Sequence, residues 1–150
     1  MSNIFEVKPY ERKVYYYETD RMGIVHHSNY IKWFEEARDD FMDQIGCPYD
    51  QLEDEGIMIP VLSVSSTYKK AFGYADTFAV SIIPKAFNGI KFMMEYEVRH
   101  KEENEIYAIG QSTHCFLDSN MRPMLLKKQK PELYALLDRY FMSNKISQKD

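Results

Sequence analysis

The run YYYETDRMGIVHHSNYIKWFEEARDDFMDQI, from Tyr15 to Ile45, changes period as it is read. Tyrosines that favour β structure open it, a polar turn follows, and an amphipathic helix closes it. From Asn29 onward the apolar residues fall at Tyr30, Phe34, Ala37, Phe41 and Ile45, in steps of four, three, four and four. Such steps lie on one helical stripe, which Trp33 and Met42 widen. Gly46 follows the last periodic residue and Pro48 comes two later, so the pattern predicts a helix over about 29–45. Ser28 and Asn29 are its candidate caps.

Working outward, residues 1–9 are a short lead and 10–18 read as a first strand. Residues 19–28 form the polar turn. Residues 47–56, with Pro, Asp, Glu and Gly, form a connection with room for a short helical turn. Then the period becomes two. Leu62, Val64 and Tyr68 alternate with Ser63, Ser65 and Thr67; Phe78, Val80 and Ile82 alternate with Thr77, Ala79 and Ser81. Ile90, Phe92, Met94, Tyr96 and Val98 continue the pattern, which predicts three half-buried strands. Asn88-Gly89 is a hairpin turn, and Glu103-Asn104 precedes a fifth strand, Ile106–Leu117. Ala108, Gly110 and Ser112 give that strand a face of small residues on which the long helix can rest. Asp118-Ser119-Asn120 is a turn. Leu133, Leu136, Leu137 and Tyr140 mark a second helix behind Pro131, with fraying from Ser143.

The 150 residues are read as one domain, 1–150, large enough for a real core. Strand, long helix, four strands joined by tight turns, then a short helix predict an α+β fold, an antiparallel sheet curled round one helix. Its edges invite pairing with a second copy. The net charge of −4 gives no basic face for nucleic acid. MSNIFEVKPYERK has no apolar core of a signal peptide, and no apolar run is long enough to span a membrane. Cys47 and Cys115 form no disulfide framework and no CxxC, which suggests a reducing, cytoplasmic setting.

The polar turn holds the chemistry. Asp20 can act as general base or nucleophile. The helix start offers unpaired N–H groups and roughly half a positive charge for a developing oxyanion. Gly23 lets backbone approach a ligand closely. Together these make a minimal acyl-transfer apparatus. The same residues also suit a plain turn, with Asp20 and Gly23 as bend residues and Ser28 or Asn29 as a cap. His26 and His27 are adjacent and make a poor ligand pair; no HExxH or spaced His/Cys set accompanies them, so no metal is expected. There is no G-x-S-x-G elbow, P-loop or dinucleotide fingerprint.

The segment resembles the N-terminal signature of the hotdog-fold acyl-CoA thioesterases, in the group of 4-hydroxybenzoyl-CoA thioesterase and its YbgC-like relatives. Thr19-Asp20, Gly23, Val25, Asn29-Tyr30, Trp33-Phe34 and Glu36-Ala37-Arg38 carry the resemblance over about 24 residues, and Pro60 early in the second strand fits it. The resemblance implies a five- to six-stranded antiparallel sheet wrapped around one long central helix, in a homodimer and often a homotetramer. It implies hydrolysis of acyl-CoA without metal or other cofactor. Asp20 falls on the catalytic carboxylate, and the His27 N–H falls where the thioester carbonyl is polarised. Tyr16 and the His27 side chain match supporting positions, and Gly23, Val25 and Asn29 fall in the substrate-binding segment. For the phosphates of CoA, Lys85 and Lys91 flank the Asn88-Gly89 turn, and Lys69-Lys70 close the second strand. The other readings are hydrolysis of acyl groups on acyl carrier protein, a non-catalytic acyl-CoA binding module, and a hotdog dehydratase or hydratase. The last is disfavoured for want of the usual His with a separate acid on the helix.

Overall fold

The computed structural model describes the backbone of residues 6–149 and the side chains of residues 6–142. Its elements are β1 (Tyr10–Lys13), a 3-10 turn (Tyr16–Glu18), α1 (Ser28–Gln44), α2 (Tyr49–Asp54), β2 (Val61–Tyr68), β3 (Thr77–Phe87), β4 (Lys91–His100), β5 (Glu105–Cys115), α3 (Leu126–Gln129) and α4 (Pro131–Lys149). The strands form one antiparallel sheet in the order β1-β3-β4-β5-β2. This is the hotdog arrangement, a five-stranded sheet with α1 against its inner face.

The helical stripe is the core. Tyr30, Trp33, Phe34, Ala37, Phe41 and Met42 are all buried. Trp33 stacks on Phe78 of β3, with centroids 3.8 Å apart, and Phe34 stacks on Tyr96 of β4 at 4.4 Å. Each such ring contributes on the order of 2–3 kcal/mol by leaving water. Gly46, at φ +90°, ends the helix in a left-handed conformation that costs glycine nothing. At the far end of the sheet, α4 places Tyr140 edge-on to Phe41 and Phe141 beside Phe87.

One polar chain crosses this core. Buried Arg38 donates to the Tyr96 hydroxyl at 3.0 Å, Tyr96 bonds to Ser112, and Ser112 bonds to His114 Nε2 at 2.7 Å. Burial pushes the His114 imidazole down to about 4, and the nearby Arg38 charge pushes the same way, so the ring is neutral.

The structure corrects the expected strands in three places. The first strand ends at Lys13 rather than running to residue 18, because the Glu18 carboxylate accepts the Tyr15 N–H at 2.8 Å and draws the chain into the 3-10 turn. β2 does not pair with β3: residues 69–76 are too long for a tight turn, insert Phe72 into the core and leave β2 beyond β5. β2 is therefore an edge strand, exposed over most of its length rather than half-buried, with a bulge at Leu62. The β3–β4–β5 meander follows the sequence. Gly89, at φ +86°, occupies the first central position of the turn whose closing pair is Asn88 and Lys91. The fifth strand ends at Cys115, and Leu117 survives only as an isolated bridge to Met58 and Pro123. The helix α4 is assigned through Lys149; the fraying expected from Ser143 concerns side chains outside the described residues.

Candidate active site

The polar turn is a miniature hairpin held against the start of α1. Thr19 bridges Val25, the Asp20 N–H donates to the Ile24 carbonyl at 2.8 Å, and the Gly23 N–H donates to the Asp20 carbonyl at 2.9 Å. Gly23 sits at φ +79°, which explains why glycine stands there. The hairpin is tied to the 69–76 connection by the Val25 N–H, which donates to the Phe72 carbonyl at 2.9 Å.

Within this hairpin Asp20 Oδ1 accepts the Met22 N–H at 2.8 Å, while Oδ2 has no partner among the described residues. Asp20 is thus a turn residue and still has one oxygen to offer. It lines a cleft of about 330 Å³ together with Met22, Ile24, Val25, His27, Tyr30, Tyr68, Lys69, Lys70 and Ala71. The Tyr68 hydroxyl donates to the His27 carbonyl at 3.3 Å, and the His27 ring lies tilted against His26 with centroids 4.3 Å apart. Burial pushes the Tyr30 hydroxyl up to about 12, so that hydroxyl stays neutral.

His27 is the residue that precedes α1; its own side chain makes no capping bond, and His26 Nδ1 accepts the N–H of Ser28, the first helical residue, at 3.3 Å. The two expected caps are used elsewhere. Ser28 bonds to His26 Nδ1 at 2.9 Å, and Asn29 Nδ2 donates to the carbonyls of Glu18 and His26 at 2.9 and 3.2 Å. The His27 N–H finds no acceptor among the described residues. His27 lines the same cleft as Asp20, and an unpaired N–H at the positive end of a 17-residue helix is the kind of group that can hold a developing oxyanion.

The remaining expected residues divide. Val25 is buried and lines the cleft. Asn29 is buried and spends its amide on the two carbonyls, so it holds the turn rather than a ligand. Gly23 shapes the hairpin and is not on the cleft wall. Tyr16 is 77% exposed and its ring meets Tyr74 edge-on at 5.5 Å, without a bond to Asp20. Lys85 is 3.3 Å from Glu95, and Lys91 pairs with Cys115 at the Val61 end of the sheet. The Asp20 cleft lies at the Tyr68 end, seven residues or roughly 20 Å along the strand. Within one chain, the lysines that reach the cleft are Lys69 and Lys70. Sequence reasoning missed Tyr68 and Met22 on the cleft and Glu18 beneath it. Glu18 left one signal, an acid within a tyrosine run six residues after Arg12.

A larger hollow, about 580 Å³, lies between α2 and the start of α4. Its lining includes the thiol of Cys47, which burial pushes up to about 12 and keeps protonated. Among the described residues no group of three His, Cys, Asp or Glu could hold a metal ion, and no helix is long and apolar enough to cross a membrane.

Comparison with known proteins agrees with this fold. A protein of Aquifex aeolicus (strain VF5), provisionally named an esterase, is 39% identical over 108 residues, 72% of this chain and 83% of its own. YneP of Bacillus subtilis (strain 168), provisionally named an acyl-CoA thioesterase, is 30% identical over 130 residues, 86% of this chain and 94% of its own. The solved DHNA-CoA thioesterase of Staphylococcus aureus superposes with a TM-score of 0.88 at 26% identity, covering 93% of this chain and 94% of that one. The family description thioesterase-like superfamily matches residues 14–137, so the chain belongs to that superfamily.

Proposed function

We propose that the chain hydrolyses acyl-CoA thioesters to free acid and CoA, as a member of the YbgC-like, 4-hydroxybenzoyl-CoA thioesterase group. One observation carries this reading: Asp20, whose Oδ2 has no bonded partner among the described residues, and His27, whose N–H has none, line the same cleft at the start of α1. The thioester carbonyl oxygen would point at the His27 N–H. Asp20 either takes a proton from an attacking water or attacks the carbonyl itself to give an acyl anhydride that water then opens. The C–S bond breaks as the tetrahedral oxyanion collapses, and the thiolate of CoA takes up a proton. The His27 ring and Tyr68 border the thioester, and Tyr16 is not among the residues that line the cleft. The names of YneP and of the DHNA-CoA thioesterase support CoA as the carrier.

Lys69 and Lys70 are the cations we assign to the CoA phosphates in place of Lys85 and Lys91. Lys70 is paired with Glu105 at 2.8 Å, while Lys69 has no ion-pair partner among the described residues. The unpaired edge of β2, with Val61, Val64 and Tyr68 exposed, supports a homodimer whose second copy closes the acyl pocket beside α1. Free Cys47 and Cys115 fit a cytoplasmic enzyme.

The test is thiol release from a panel of acyl-CoAs beside their pantetheine truncations. Turnover of the CoA esters with a preference over the truncations supports the reading. Equal hydrolysis of both points to a carrier-protein substrate, and tight binding without turnover to a binding module.

A further inference from the structure

Glu18 stands two residues before Asp20 and is 2% exposed. Its carboxylate accepts four hydrogen bonds: from Arg12 Nη1 at 3.0 Å and Nη2 at 2.8 Å, from Trp33 Nε1 at 2.8 Å and from the Tyr15 N–H at 2.8 Å. Burial alone would push this carboxyl up. The bonds from Arg12, Trp33 and Tyr15 outweigh it and hold the group below its ordinary value, so it is ionised. Arg12 reaches on to Glu36 of α1 at 2.8 Å. The side chain of Glu18 thereby joins β1, the 3-10 turn and α1.

Its main chain makes a second junction. The Glu18 carbonyl accepts from the His26 N–H at 2.8 Å and from Asn29 Nδ2 at 2.9 Å. Asp20 is two residues along the chain from this carbonyl, and His27 is one residue from the N–H bound to it. The separation of the Asp20 carboxylate and the His27 N–H is therefore set through Glu18. A charged carboxylate is costly to bury, and a turn could be built without one.

We infer that Glu18 is a positioning residue for thioester hydrolysis, its bonds to Arg12 and Trp33 fixing the Asp20 hairpin against the His27 end of α1. The inference rests on the assignment of Asp20 above and adds a residue that does not touch substrate.

The experiment is a kinetic double-mutant cycle of Glu18→Gln with Asp20→Asn on the best acyl-CoA, with Leu137→Ala in α4 as a control for lost stability. Misplacing a reacting group by about 1 Å can cost up to ~100-fold. We therefore expect Glu18→Gln to lower kcat at least ~10-fold with KM within about twofold. In the Asp20→Asn background the same change should alter the residual rate less than about twofold, since the two residues act as a unit. Should Glu18→Gln give no folded protein, Trp33→Phe removes one donor to Glu18 and keeps a ring on Phe78; a loss of kcat of about threefold is expected, again vanishing beside Asp20→Asn. A kcat loss no greater than that of Leu137→Ala at the same drop in Tm overturns the proposal, as does full additivity with Asp20→Asn. An impaired Asp20→Asn beside an unimpaired Glu18→Gln overturns the positioning role alone. An unimpaired Asp20→Asn overturns the Asp20 assignment and the proposal with it.

Discussion

The ring of Phe34 rests directly on Gly110: a Cβ built on this glycine would overlap the Cζ and Cε2 atoms of Phe34 and stand 3.0 Å from the Ser65 carbonyl. The glycine is thus a seat for α1 in the middle of β5, and its absent side chain lets the helix approach the sheet. Gly110→Ala forces either the helix or β2 to move. Overpacking of this kind costs about 1–3 kcal/mol, which urea unfolding at equilibrium will read as a lower midpoint with an unchanged slope. A midpoint equal to that of the wild type would mean that the helix is seated elsewhere.

That contact also shows what the sequence could reveal. The small residues Ala108, Gly110 and Ser112, and the stripe from Tyr30 to Phe41, announce the helix-on-sheet packing, because each pattern has the period of its own element. The order of the strands was not legible in the same way. β2 alternates as well as β3 does, yet alternation says which faces differ and not which neighbour is met; only the length of residues 69–76 hints that β2 crosses to the far edge. In the site, the sequence placed a carboxylate, Asp20, close along the chain to a helix start, and only the resemblance singled out His27; the structure lines one cleft with both. For Asn29, residue type alone does not reveal that the Glu18 and His26 carbonyls take its amide nitrogen. For Lys85 and Lys91, proximity to a turn does not say which end of the sheet the turn occupies, and within one chain it is the end away from the Asp20 cleft.

His114 gives the fold a pH limit with a definite sign. Its folded value of about 4 lies below the ordinary 6.5, so the unfolded chain binds the extra proton first. The stabilisation is complete above about pH 6.5 and is lost as pH falls toward 4, for a total of roughly 3 kcal/mol. Glu18 also has a depressed value, but its contribution is lost only below the ordinary carboxylate range. Measured Tm should therefore decline already between pH 6.5 and 5, and His114→Gln should flatten that part of the curve. A decline of equal slope in the variant would assign it to other groups.

Lys69 is expected to act on binding and not on chemistry. Lys69→Glu should raise KM for a CoA ester by about fivefold, the equivalent of roughly 1 kcal/mol for an exposed charge, with less effect at high salt. KM for the pantetheine truncation and kcat should stay within about twofold of wild type. Steady-state kinetics at two ionic strengths decide the point. A loss of kcat with unchanged KM would remove Lys69 from the phosphate site.

The most direct test of the account is single-turnover thiol release by Asp20→Asn beside the wild type. Asparagine retains an oxygen for the Met22 N–H, so the hairpin and the Tm are expected to stay as they are. It can neither take a proton from water nor form the anhydride, and the rate should fall at least ~100-fold. An Asp20→Asn protein that still cleaves acyl-CoA at the wild-type rate would contradict the assignment of this cleft as the catalytic one.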